Sequence, residues 1–241
     1  MMEFRQSNKS LVNQRKRYLL SYLWPRSPVS EQYRTIRTSI QFAGMKNDTR
    51  VIMVTSPNPG EGKTTVATNL AIVFAQQENQ VLLIDADLRK PSLHYIFQTA
   101  NLRGLSNLLY HGNNLCEDVQ SVGIEGLDLL TSGPIPPNPA ELLNMKRMHW
   151  ILQEARKSYD YIIIDTPPVQ AVADPLILAQ KCDGVVLVVS SGKTSMSDCI
   201  KAKELLAKNG ATLLGTIINK SPKKVKKGGY YYPNYEKGIL L

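Results

Sequence analysis

Residues 51–65 read VIMVT-SPNPGEGKTT, and an apolar helical pattern follows over 64–77. The β-branched run at 51–55, bounded by Pro and Gly, predicts a short buried strand. Leu70, Val73 and Phe74 recur at helical spacing and predict the helix. The loop between them points the backbone N–H groups of Gly60–Gly62 to a helix N-terminus, where the dipole favours an anion. Gly62, Lys63 and Thr64 complete the G-x-x-x-x-G-K-[ST] phosphate-loop pattern, with Pro57 in place of the first glycine. Strand, loop and helix in this order identify a nucleoside-triphosphate site made by Pro59, Gly60, Glu61, Gly62, Lys63, Thr64 and Thr65. Lys63 is expected to reach the β- and γ-phosphates, and the Thr64 hydroxyl to ligate Mg²⁺.

Further apolar runs occur at 81–85 (VLLID), 161–165 (YIIID), 184–189 (GVVLVV) and 213–219 (LLGTIIN), with a weaker one at 127–130. Helical patterns fall at 30–42, with Ser30 as cap and Gly44 as stop, and at 105–109, 139–157 and 198–208. This alternation predicts an α/β, three-layer P-loop NTPase fold: a mostly parallel central sheet covered by helices on both faces. Ligands bind such sheets at the carboxyl ends of the strands. Two strands end there in acids, one in Asp165-Thr166-Pro167-Pro168 and one in Asp85-Ala86-Asp87-Leu88-Arg89. Asp85 and Asp87 share a side if the strand continues, and like charges so close call for a cation. Lys63, Asp85, Asp87 and Asp165 are the candidate catalytic residues, and Thr64, Asp85, Asp87 and Asp165 the candidate Mg²⁺ ligands. Arg89 is a candidate for orienting the acidic segment or touching a phosphate, and Asn219 for the adenine pocket.

The 241 residues are 43% hydrophobic and 20% charged, which excludes a disordered chain, a collagen-like repeat and a coiled coil. No apolar run approaches the ~18–20 residues that span a bilayer, and no signal peptide is visible, so a cytosolic protein is expected. Cys116, Cys182 and Cys199 are odd in number and read as free thiols. The net charge of +9 is gathered at the ends, before the core at Arg5, Lys9, Arg15, Lys16, Arg17 and Arg26, and after it at Lys220, Lys223, Lys224, Lys226 and Lys227. The chain therefore divides into a basic arm at 1–28 with little fixed structure, a nucleotide-binding domain at 29–219 and a tail at 220–241. Within the tail, YYYPNY places Tyr230, Tyr231, Tyr232 and Tyr235 in six residues, a cluster with no periodic core around it and hence a candidate self-substrate. From Asn219 to Tyr230 the chain spans at most ~36–40 Å. Glu31, Arg34 and Arg37 follow E-x-x-R-x-x-R, which lines them up on one stripe of the first helix.

GEGKTT at 60–65, IDADLRKP at 84–91, SGPIPPNPAELL at 132–143 and DTPP at 165–168 together resemble the bacterial tyrosine kinases of capsule and exopolysaccharide export, relatives of the ParA/MinD P-loop ATPases. The resemblance implies an ATP- and Mg²⁺-dependent protein-tyrosine kinase. It implies that Asp85 and Asp87 share metal binding and activation of the tyrosine hydroxyl, with Asp85 as the base and Asp165 as the Walker B acid. It implies autophosphorylation of Tyr230, Tyr231, Tyr232 and Tyr235, and ring assembly through Glu31, Arg34 and Arg37. The implied partners are a membrane-embedded activator that recruits the cytoplasmic chain to the inner face of the membrane, a cognate tyrosine phosphatase and other protein substrates. The additional lysine usual early in the ParA/MinD loop is absent, the position being Asn58. The H-R-D and D-F-G motifs of eukaryotic kinases are absent too. The alternative is a ParA/MinD-like ATPase switch without kinase activity, which the net charge favours and Asn58 and the tyrosine cluster disfavour. A third is a scaffold whose ATP only organises a ring. No base-reading segment is visible, so nucleic acid is not an expected partner.

Overall fold

Every residue of Val51–Thr55 (β1) and Val81–Asp85 (β2) is buried, and alternate side chains feed two separate cores. Val51, Met53, Leu82 and Ile84 face one, while Ile52, Val54, Val81 and Leu83 face the other. Burial on both faces is what a parallel sheet between two helix layers demands, and it explains why these strands are continuously apolar. The computed structural model describes residues 18–45, 48–112 and 114–222. Its sheet also contains Val119–Ile124 (β3), Leu127–Leu130 (β4), Tyr161–Asp165 (β5), Gly184–Ser190 (β6) and Leu213–Asn219 (β7). The order is β3-β4-β2-β5-β1-β6-β7, parallel throughout except for the antiparallel β3–β4 pair.

One layer is built from the segment around Leu20–Leu23 (α1), Pro28–Gly44 (α2), Lys63–Ala75 (α3) and Leu93–Phe97 (α4). The opposite layer holds Leu105–His111 (α5), Leu115–Asp118 (α6), Pro139–Asn144 (α7), Lys146–Ala155 (α8), Asp174–Ala179 (α9) and Met196–Lys208 (α10). The expected α/β P-loop architecture is present. Helix α3 is buried from Val66 to Ala75, as befits the element that carries the phosphate loop into the middle of the molecule.

Several boundaries differ from expectation. The helix expected over 139–157 is two, because Met145 adopts an extended ψ of 147° between them. The edge strand β3 and the short helix α9 carried no clear pattern. Helix α2 is capped by Ser27, whose side chain accepts from the Ser30 N–H at 3.2 Å, and Pro28 occupies its first turn. Ser30, the expected cap, donates its hydroxyl to the Trp24 carbonyl at 2.6 Å instead.

Residues 18–28 are likewise not a loose arm. The Asn69 side chain, on α3, accepts from the Ser21 N–H at 2.8 Å and donates to the Tyr18 carbonyl at 2.7 Å. Gln76 adds a bond to the Ser21 carbonyl at 3.0 Å. The rest of the expected arm and most of the tail, including Tyr230, Tyr231, Tyr232 and Tyr235, lie outside the described residues. Among the described residues, no helix is long and apolar enough to cross a membrane.

Candidate active site

The phosphate loop leaves β1 and turns into α3 through two glycines with left-handed backbone, Gly60 at φ +77° and Gly62 at φ +95°. Gly62 is needed twice over, because a methyl group there would stand 2.1 Å from the Asn219 amide nitrogen. Asn219, at the end of β7, donates to the Glu61 carbonyl at 2.9 Å. Asn219 thus braces the phosphate loop. Glu61 is buried under the loop, where its carboxylate accepts from the Asn58 N–H at 2.9 Å and from the Thr194 hydroxyl.

Lys63, at the first position of α3, sits 3.5 Å from Asp87. Its pKa moves up, burial being outweighed by the nearby Asp165, Asp87 and Asp85. Asp85 and Asp165 are direct neighbours in the β2–β5 register, and both are fully buried. One Asp85 oxygen accepts from the Ser92 and Leu93 N–H groups at 3.0 and 2.9 Å, the other from the Asp87 N–H at 3.3 Å. Asp87 in turn accepts from the Lys90 N–H at 3.0 Å. Burial, and then the neighbouring Asp165, push the Asp85 carboxyl up to about 7 against the opposing pull of the two backbone bonds. Burial pushes Asp165 up to about 6, with Lys63 and the Thr64 hydroxyl acting against it.

Neither Asp165 oxygen has a hydrogen-bond partner of good geometry. A buried carboxylate with both oxygens open is costly unless a cation is to meet it. Among the described residues no three His, Cys, Asp or Glu side chains form a metal cage. The open Asp165 carboxylate suits Mg²⁺, which binds through one or two protein groups and fills its remaining positions with water and phosphate oxygens. Of the expected ligands, Asp165, with Thr64 beside it, has its oxygens open for the ion, while the Asp85 oxygens accept backbone N–H groups and Asp87 stands against Lys63.

Arg89 grips Asp174, at the start of α9, with two parallel bonds of 2.9 and 3.0 Å. That pair ties the segment after β2 to α9. Asp174 was not apparent in the sequence, having no motif around it, and neither was Thr194, although Gly192-Lys193-Thr194 repeats the Gly-Lys-Thr triplet after another strand. Away from this centre, Glu31 and Arg34 pair on the exposed face of α2, and Arg34 also donates to the Pro25 carbonyl at 2.8 Å. Arg37 does not share that surface. It is buried and donates to the Val73 carbonyl at 2.6 Å, in the last turn of α3.

The ParA family model, described as "NUBPL iron-transfer P-loop NTPase", matches residues 47–239. The chain is 50% identical to tyrosine-protein kinase YwqD of Bacillus subtilis over 92% of its own length and 94% of that protein's. It is 40% identical to tyrosine-protein kinase CpsD of Streptococcus pneumoniae, over 86% of its own length and 92% of the relative's. Against the solved kinase domain of Escherichia coli tyrosine kinase ETK the TM-score is 0.82 at 35% identity, covering 89% of this chain and 84% of that one. The cell-division ATPase MinD of Pyrococcus furiosus shares the fold, with a TM-score of 0.61 at 22% identity and 70% and 71% coverage. With its phosphate loop, its two acidic strand ends and these relatives, the chain belongs to the tyrosine-protein kinases built on the ParA-like P-loop NTPase fold.

Proposed function

We propose that this kinase uses ATP with Mg²⁺ to phosphorylate the tyrosine cluster of its own tail, Tyr230, Tyr231, Tyr232 and Tyr235, and that this cycle tunes capsule or exopolysaccharide synthesis and export. The observation that carries the catalytic part is Asp85, a carboxyl fixed by backbone N–H groups beside the phosphate loop with its pKa near 7. A general base works best with its pKa close to the working pH. Asp85 accepts the tyrosine proton, and the carboxylate's fixed bonds keep it aimed. Lys63 and the loop amides bind the phosphates, and Lys63 exchanges its contact with Asp87 for them. Thr64 and Asp165 hold Mg²⁺, which when bound neutralises charge on the transferring phosphoryl group. Asp87 orders the turn after β2 through Lys90 and faces the same centre. Catalysis is then positioning plus electrostatics.

The tail follows β7, whose last residue already touches the phosphate loop. We read the transfer as occurring between subunits of a ring, with the exposed Glu31–Arg34 pair docking on a neighbour and Arg37 holding α2 against α3. A membrane-embedded activator is the expected partner. Tyrosine-protein kinase etk of Escherichia coli, of which this chain matches 27%, has ample additional chain for such a role. A tyrosine phosphatase would reset the tail.

Intact mass after incubation with ATP and Mg²⁺ tests this, with peptide mapping of 228–241 and a Lys63→Met control. Phosphate on the tyrosine cluster that is absent from Lys63→Met is the expected result. In a mixture of Lys63→Met with a tail-truncated chain, phosphate should appear on the Lys63→Met protein. Arg34→Ala should shrink the particle in light scattering. No phosphate in any arm, even with the activator's cytosolic end supplied, would favour an ATP-driven switch.

A further inference from the structure

Strand β6 ends in Ser190-Ser191-Gly192-Lys193-Thr194-Ser195, so a second Gly-Lys-Thr triplet lies between a buried strand and a helix, α10. The turn is tight. The Lys193 and Thr194 N–H groups donate to the Ser190 carbonyl at 3.1 and 3.0 Å, and the Thr194 hydroxyl oxygen accepts from the Ser190 N–H at 2.8 Å. The same hydroxyl donates to Glu61, the residue between the two left-handed glycines of the phosphate loop. The Ser191 N–H donates to the Asn219 carbonyl at 2.8 Å, and Asn219 holds the Glu61 carbonyl. The turn after β6 is therefore fastened to the phosphate loop directly by the Thr194 side chain and, at its other end, through Asn219.

Carried on this turn, the Lys193 ammonium stands beside the loop, where a methyl group added to Gly60 would lie 3.5 Å from it. Among the described residues no carboxylate pairs with Lys193. Lys220 approaches the same glycine but spends its ammonium on the Gly60 carbonyl at 2.8 Å. The loop itself, SPNPGEG at 56–62, contains no cation and one acid, Glu61. Only Lys63 brings positive charge to it from α3.

We propose that Lys193 is a second phosphate-contacting lysine of this site, supplied by the turn after β6 and positioned by the Thr194–Glu61 clasp. The proposal rests on reading the loop as the nucleotide site. A lysine at the rim acts as a point charge, so its attraction grows with the charge of the nucleotide and favours the triphosphate over the diphosphate. Its exposure limits the effect to about three- to tenfold.

The test uses the full chain and fluorescent ATP and ADP analogues titrated in the presence of Mg²⁺. Lys193→Met should weaken the ATP analogue about three- to tenfold and the ADP analogue less, and Lys193→Arg should restore the ATP value. The nucleotide-free melting temperature should not move, since the side chain is exposed. Unchanged or equally changed affinities in Lys193→Met, with both lost in Lys63→Met, would overturn the role of Lys193 and leave the nucleotide site standing. If Lys63→Met also binds both analogues normally, the reading of the loop fails and Lys193 fails with it.

Discussion

Asp85 and Asp165 end neighbouring strands in register, each after four apolar residues, and both are fully buried. Their surroundings differ. The chain after β2 doubles back so that the first amides of α4 fall on Asp85. The chain after β5 offers nothing comparable. Pro167 and Pro168 have no N–H, the Thr166 N–H is spent on the Val54 carbonyl at 3.2 Å, and the Val169 N–H on the Ser56 carbonyl at 2.8 Å. One sequence signature thus produces a carboxyl locked by the backbone and a carboxyl left open. The locked one suits a base that must be aimed, and the open one suits a cation ligand.

The largest effect expected from this contrast is catalytic. Asp165→Asn keeps the shape of the side chain but removes the charge that Mg²⁺ would meet. Autophosphorylation should fall by about 10²–10³-fold, the usual loss when one charge-stabilising group is removed, and half-saturation by Mg²⁺ should move to higher concentration. Normal Mg²⁺ dependence in that variant would break the comparison, because the open carboxyl would then have no cation to hold.

A smaller effect separates the two residues in stability. Asp85→Ala strands the Ser92 and Leu93 N–H groups, while Asp165→Ala strands none. Measured by urea unfolding at pH 5, where both substitutions relieve a similar ionisation penalty, Asp85→Ala should be the less stable by about 2–3 kcal/mol. Equal midpoints would mean that the backbone bonds to Asp85 contribute nothing net.

How much of this was legible depends on distance along the chain. The central strands were readable because burial on both faces leaves them apolar up to their carboxyl ends, and the phosphate loop because strand, glycines, Lys63 and helix are contiguous. Strand β3 escaped because half its surface faces solvent and it runs antiparallel at the edge. The break at Met145 has no Pro or Gly to announce it. The N-terminal segment looked like an arm since the side chains that hold it, Asn69 and Gln76, lie 48 and 55 residues from Ser21. Arg89–Asp174 and Thr194–Glu61 join residues 85 and 133 apart. A local pattern shows which side chains can do chemistry but not which distant partner aims them. So the loop, Asp85 and Asp165 could be read in advance, while their different environments could not.

The mildest test follows from protons. Burial pushes the Asp165 carboxyl up to about 6 and the Asp85 carboxyl up to about 7, against 3.8 ordinarily. Between about pH 4 and 7 the folded state therefore holds protons that the unfolded chain has released. Stability of the nucleotide-free protein should fall as pH rises through that window, by about 1.4 kcal/mol per pH unit for each proton. His94, held below its ordinary pKa by burial, runs the other way and offsets a little of it. Asp165→Asn should remove its own share of the slope in a urea titration series and reduce that of Asp85, whose carboxyl the Asp165 charge helps to push up. A cation on Asp165 competes with its proton, so saturating Mg²⁺ and nucleotide should stabilise the protein more at pH 8 than at pH 5. Equal stabilisation at both pH values would mean that no cation meets Asp165, and the contrast with Asp85 would reduce to hydrogen bonding alone.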